Sequence, residues 1–150
     1  WGSRAGVGIS VVIAAHPKAE YNPEQFRGRR IVKYNTASLV QDSELVVAHY
    51  SSAISFAVIY SKPILFLTSD QINSLYKYRD ACYIRTLAEY LVAPLLNMDR
   101  PESFMETQQE LIVNIERYNA YKYDHLVSRS QEGRTSAQIL IDAYQKNNDE

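Results

Sequence analysis

Residues 46 to 69, "VVAHYSSAISFAVIYSKPILFLTS", leave the chain few folds to choose from. A short β-branched run ends in a histidine, a tyrosine and two serines. The stretch "SSAISFAVIY" that follows is apolar almost all round, which predicts a buried helix. "KPILFLT" then predicts a second strand. Two strands joined by a connection of helical length point to a parallel pair with a crossover helix, since a tight hairpin would suit an antiparallel pair.

The alternation continues in both directions. "GVGISVVIAAHP" predicts a strand from about residue 9 to 15 that stops at His16-Pro17, with both faces apolar as in a covered parallel sheet. "RRIVKY" predicts a strand near residues 30 to 34, Thr36 can cap a brief helix over Ala37 to Val40, and "SELVVAH" is a third strand. After "KPILFLT", the fourth strand, Thr68, Ser69 or Asp70 can cap a helical segment. Tyr83, Ile84, Leu87, Ala88 and Leu91 have helical spacing, and "APLLNM" reads as a fifth strand.

Asp99, Pro101 and Glu102 signal the start of a long helix with Phe104, Leu111, Ile115 and Tyr118 as its stripe. A capping box, Thr135-x-x-Gln138, opens a last helix with Ala137, Leu140, Ile141 and Tyr144 on one face. The expected architecture is α/β: a Rossmann-like open parallel sheet of about five strands, with helices on both faces and two C-terminal helices. Residues 1–150 read as one domain, with no repeat, low-complexity stretch or linker. A core strand within the first ten residues, without the strand and helix that usually precede it, suggests a piece of a larger protein.

Composition narrows the function classes. A formal net charge of -1 argues against a general nucleic-acid binder, which would show a basic excess. Cys82 stands alone, so no internal disulfide is possible and a reducing compartment is expected. No stretch resembles a signal peptide, and the longest apolar run falls far short of the roughly 20 residues that span a bilayer. The expected location is the cytoplasm. Of twelve tyrosines, Tyr76, Tyr78, Tyr83, Tyr90, Tyr118, Tyr121, Tyr123 and Tyr144 lie in helical stretches of the second half and read as packing residues.

In an open parallel sheet, ligands bind outside the carboxyl ends of the strands. His16 ends the first strand, and His49, Tyr50, Ser51 and Ser52 end the third. At that second junction the backbone N–H groups of Ser52, Ala53 and Ile54, together with two hydroxyls, could cradle a phosphate. The same serines also suit plain capping, with Ser51 at the cap and Ser52 in the first turn. An imidazole beside a phosphate can donate a hydrogen bond, carry positive charge or pass a proton, and Pro17 restricts the backbone of His16 to extended geometry.

His49 reads equally as a packed strand-end residue, and the basic group Lys18, Arg27, Arg29, Arg30 and Lys33 as a solvated edge or a phosphate attractant. His125 has no histidine or cysteine partner at ligand spacing, so no metal site is expected. Neither G-x-x-x-x-G-K-[ST] nor G-x-G-x-x-G is present, and no serine lies in G-x-S-x-G.

At "IAAHPKAEY" and "ELVVAHYSSAISFAVIYSKPILFLTSD" the chain resembles the carboxyl-terminal, donor-binding lobe of two-lobed GT-B glycosyltransferases that build bacterial capsular and surface polysaccharides. Its His-Pro and Ser-Ser motifs are similar to those of polysialyltransferases, and teichoic-acid polymerases have a related aspartate-tyrosine-serine-serine pattern. The resemblance runs from about residue 8 to 70, the helical tail agreeing in outline.

It implies a nucleotide-activated sugar as donor, with no metal or further cofactor. By position, His16 would contact the donor phosphate and assist the leaving group, Ser51, Ser52 and the Ala53 amide would bind that phosphate, and Pro17 would shape the loop. His49 stands where the polymerases have aspartate. The glycan acceptor and the catalytic base would belong to another lobe, so this chain alone is expected to be inactive. Peripheral membrane association is an open partner class for a full-length protein. A sugar-nucleotide epimerase lobe and a non-catalytic anion- or partner-binding module are the alternatives.

Overall fold

The computed structural model describes residues 9–75, 80–100 and 111–148, and they form an α/β structure with two parallel sheets. Strand β1 (Val12–Ala15) pairs with β2 (Arg30–Lys33), Val12 opposite Arg30 and Ala15 opposite Lys33. A second sheet has the order β3 (Val46–Ala48), β4 (Ile64–Thr68), β5 (Leu95–Asn97), parallel throughout. All five expected strands are present. Their hydrogen-bonded ladders form a pair and a triplet.

Strand β1 is shorter than expected. The ladder begins at Val12, because β2 offers partners only from Arg30 onward, and Ile9 is left 89% exposed. Between the two strands lie a 3-10 turn (Pro23–Phe26) and a tight reversal in which Arg27 and Gly28 both have positive φ.

Helix α1 (Thr36–Asp42) links β2 to β3, packing against β1 and against α2 (Ala53–Ile59). Asn35, not Thr36, holds the cap position of α1, and its side chain makes no capping bond. Within α2, Ile54, Ala57 and Val58 fall on one face by helical spacing and are buried, while Ile59 on the other side is exposed. Helix α3 (Asp70–Leu75) starts where Ser69 Oγ accepts the Ile72 N–H at 3.0 Å, so Ser69 is the cap among the three candidates. Helix α4 (Asp80–Leu91) then leads to β5.

The core lies on one face of the triplet sheet. Ile64 and Phe66 alternate onto that face with Val46, and they meet Ile54, Ala57 and Val58 of α2 and Ile84, Leu87, Ala88 and Leu91 of α4. Phe66, Ile54, Ile64 and Leu91 are fully buried, each contributing roughly 2 to 3 kcal/mol of burial free energy. On the opposite face Leu65 and Leu96 are buried but Val47 is half exposed.

The expected long helix is not continuous through its described part. Residues 111–114 are irregular, and α5 (Ile115–Tyr121) begins at Asn114, whose Oδ1 accepts the Arg117 N–H at 3.1 Å. Pro101, Glu102 and Phe104 lie outside the described residues. Tyr118 and Tyr121 of α5 are core residues and Tyr90 packs against the core at its edge, as expected, whereas Tyr83 and Tyr144 are largely exposed. Tyr76 and Tyr78 lie outside the described residues.

A π turn (Lys122–Leu126) continues α5, and α6 (Ser136–Asn148) closes the described chain. Its capping box forms: Gln138 N–H donates to Thr135 Oγ1 at 3.3 Å and Thr135 N–H to Gln138 Oε1 at 2.9 Å. Among the described residues no helix is long and apolar enough to cross a membrane.

Candidate functional site

His16 follows the last residue of β1 and is exposed. The loop that leaves β1 folds back around it. The backbone N–H of His16 donates to the Tyr21 hydroxyl at 2.8 Å, its carbonyl accepts from Ala19 N–H at 3.2 Å, and its Nδ1 accepts from Lys18 N–H at 3.2 Å. An imidazole nitrogen that accepts a backbone N–H cannot itself hold the proton of the neutral ring. The proton therefore sits on Nε2, which becomes a hydrogen-bond donor. Pro17 is half-buried behind this turn.

Ser51 and Ser52 are exposed between the end of β3 and the start of α2. Ser51 Oγ accepts the Ala53 N–H at 3.1 Å, and the Ser51 carbonyl accepts the Ile54 N–H at 3.3 Å. Two of the three amides expected to be open to an anion are thus engaged locally, which is the capping role that the serines also suited. Ser52 stands at the cap position of α2 in helical geometry without a side-chain capping bond, so its hydroxyl is uncommitted. Ser51 keeps a hydroxyl proton to donate, because in its capping bond it is the acceptor.

His49 is exposed one residue beyond β3, and its Nδ1 accepts the Tyr50 N–H at 2.7 Å. It too then carries its neutral proton on Nε2. Tyr50 stacks edge-on against Tyr83 with ring centroids 5.3 Å apart. Burial, then the nearby Tyr121 and Tyr50 phenols, holds the Tyr83 hydroxyl above its ordinary pKa.

The basic group divides. Lys33 lies opposite Ala15 at the carboxyl end of the β1–β2 pair, its Nζ 5.9 Å from the Tyr21 ring centroid, and Lys18 belongs to the loop around His16. Arg30 sits at the other end of the pair, opposite Val12, and Arg29 donates back to the Phe26 carbonyl at 3.2 Å.

Polar residues at the ends of β4 and β5 form a further network that strand and helix periodicity does not single out. Asn97 Nδ2 donates to Asp70 Oδ1 at 2.7 Å, Asp99 Oδ2 accepts the Asp70 N–H at 2.7 Å, and Arg100 lies 3.5 Å from Asp70. The signal available was positional: "TSD" and "NMDR" both follow strands at the carboxyl rim. Because β3, β4 and β5 are parallel, this network and the two serines share one rim.

A cavity of about 950 Å³ opens at the other end of β5, lined by Arg85, Glu89, Val92, Leu95, Ile112 and Asn114. His16 and the serines do not line it. Among the described residues no three His, Cys, Asp or Glu side chains come together as a metal site. Compared with known proteins, the chain matches no family model, no curated protein and no solved structure.

Proposed function

We propose that this chain is the donor-nucleotide-binding domain of a glycosyltransferase of bacterial surface polysaccharide synthesis, and that a donor phosphate binds between His16 and Ser51–Ser52. The observation that carries the reading is the state of His16: exposed at a strand's carboxyl end, with N–H, carbonyl and Nδ1 all occupied locally, so that Nε2–H is the polar group left for a ligand. The uncommitted Ser52 hydroxyl and the remaining Ser51 proton add donors of the same polarity.

The chain path supports placing these groups on one rim. Helix α1 leaves the carboxyl end of β2, packs on β1 and α2, and delivers the chain to the start of β3. On this reading the β1–β2 pair stands on the β3 side of the triplet without sharing its ladder, with the carboxyl ends of β1 and β3 turned to the same rim and His16 across from the serines. A right-handed crossover from β2 through α1 to β3, with β1 between the two, gives that arrangement.

In the proposed reaction, negative charge grows on the nucleotide phosphate as the sugar departs. Donors fixed before the reaction stabilise that charge without reorganising. The sugar acceptor and the base that activates it belong to another lobe in this reading.

The test is calorimetric titration of the chain with ribonucleoside 5′-mono- and diphosphates and their sugar conjugates. Binding of at least one is expected, about tenfold weaker in His16→Ala with the fold intact, the size expected for one hydrogen bond to a charged group. In the full-length enzyme His16→Ala should lower turnover sharply. Undiminished binding and turnover in that variant would remove His16 from the mechanism.

A further inference from the structure

We propose that Tyr21 is the positioning residue for His16, selecting the Nε2–H form of the imidazole that faces the donor phosphate; this rests on the proposed function above. Tyr21 lies five positions after His16, and its hydroxyl accepts the His16 backbone N–H at 2.8 Å. That bond closes the loop. Within it, Lys18 N–H reaches His16 Nδ1 at 3.2 Å and Ala19 N–H reaches the His16 carbonyl at 3.2 Å.

The phenol ring is held independently of its hydroxyl. It packs on Phe26 at 5.8 Å between centroids, and Lys33 Nζ lies over its face at 5.9 Å. Phe26 belongs to the 3-10 turn and Lys33 to β2, so the hydroxyl is anchored to two elements outside the loop it closes. Removing that oxygen leaves the ring packing in place and frees the His16 amide. The loop can then relax, and the Lys18 amide no longer fixes which ring nitrogen holds the proton. A ring free to place its proton on either nitrogen is a poorer phosphate donor, because part of its population presents a lone pair to the anion.

The experiment compares wild type, Tyr21→Phe and His16→Ala. Proton–nitrogen correlation spectra of the imidazoles are recorded at about pH 8, where an ordinary imidazole is neutral, with His16 assigned by its loss in His16→Ala. The probes for binding are the ribonucleoside 5′-monophosphates and diphosphates, each titrated beside its phosphate-free nucleoside. Wild type should show His16 as the Nε2–H form. Tyr21→Phe should shift that signal toward a mixture of the two forms and weaken phosphate binding about twofold, the loss that an even mixture imposes, leaving nucleoside binding and thermal midpoint near wild type.

A purely structural tyrosine would lower the thermal midpoint without moving the imidazole signal. An unchanged His16 signal with unchanged phosphate affinity in Tyr21→Phe overturns the assignment. Should no nucleotide bind even the wild-type chain, the proposed function falls, and the spectra still decide the matter for Tyr21: a shifted signal sustains its role and an unshifted one ends it.

Discussion

The Tyr118 hydroxyl donates to the Lys62 carbonyl at 3.0 Å, tying α5 to the turn before β4 across 56 residues of chain. Tyr118 is only 4% exposed, and burial pushes its phenol from 10.0 up to about 12. The unfolded chain gives up this proton near its ordinary value while the folded chain holds it. The contribution is therefore whole below pH 10 and is lost as pH rises through about 12, a change of roughly 3 kcal/mol.

Tyr118→Phe separates the two effects. At neutral pH the Lys62 carbonyl loses its donor, which should cost about 1 to 2 kcal/mol in denaturant unfolding. Between pH 10 and 12 the variant should lose less stability than wild type, since phenylalanine has nothing to ionise. Equal losses over that range would mean that Tyr118 is not the buried titrating group.

Val92 follows the end of α4 with φ of +52, and the Ala93 N–H closes the helix by donating to the Ala88 carbonyl at 2.9 Å. A β-branched residue is strained in this left-handed conformation, where glycine is at ease. Val92 is 53% exposed, so shortening it removes little burial. Val92→Gly should raise stability by about 1 kcal/mol, read as a higher thermal midpoint. A lower midpoint would show that the valine methyls contribute more packing than the strain costs.

The segment from Val46 to Thr68 was legible because pattern and environment agree. Each short apolar run has a buried partner in register, and α2 buries the face that its spacing marks. The break before α5 was not legible from periodicity, since Leu111, Ile115 and Tyr118 keep helical spacing whether or not the chain between them is helical. Its signal was Asn114, a residue that competes for backbone N–H groups and so favours the cap over the helix interior. At the site, the locations of His16 and the serines followed from strand ends, but the Tyr21–His16 bond did not. A contact between a hydroxyl and a backbone amide depends on the path of a loop, which neither the 2.0 nor the 3.6 period describes.

Helix α6 leaves Leu140 and Ile141 exposed, so its local order depends on its cap more than on core packing. Thr135→Ala removes the hydroxyl that accepts the Gln138 N–H. It should cost the helix about 1 kcal/mol. Hydrogen exchange should quicken over the first turns of α6 while amides of β4 stay unchanged, because the core does not include α6. Equal acceleration in β4 would show that the helix and the core unfold together.

Ser51 and Ser52 are neighbours with different commitments, and that difference makes separate outcomes. Ser51 Oγ holds the Ala53 amide at 3.1 Å, so Ser51→Ala should lower stability by about 1 kcal/mol as a lost cap and weaken nucleotide binding as well. Ser52 makes no side-chain capping bond, so Ser52→Ala should leave stability within about 0.5 kcal/mol of wild type. Its hydroxyl should count only when phosphate is present, with affinity falling about three- to tenfold. Thermal melts with and without nucleotide measure both quantities on one sample. If Ser52→Ala melts and binds like wild type while Ser51→Ala loses stability alone, the junction is a helix cap and the phosphate must be held elsewhere.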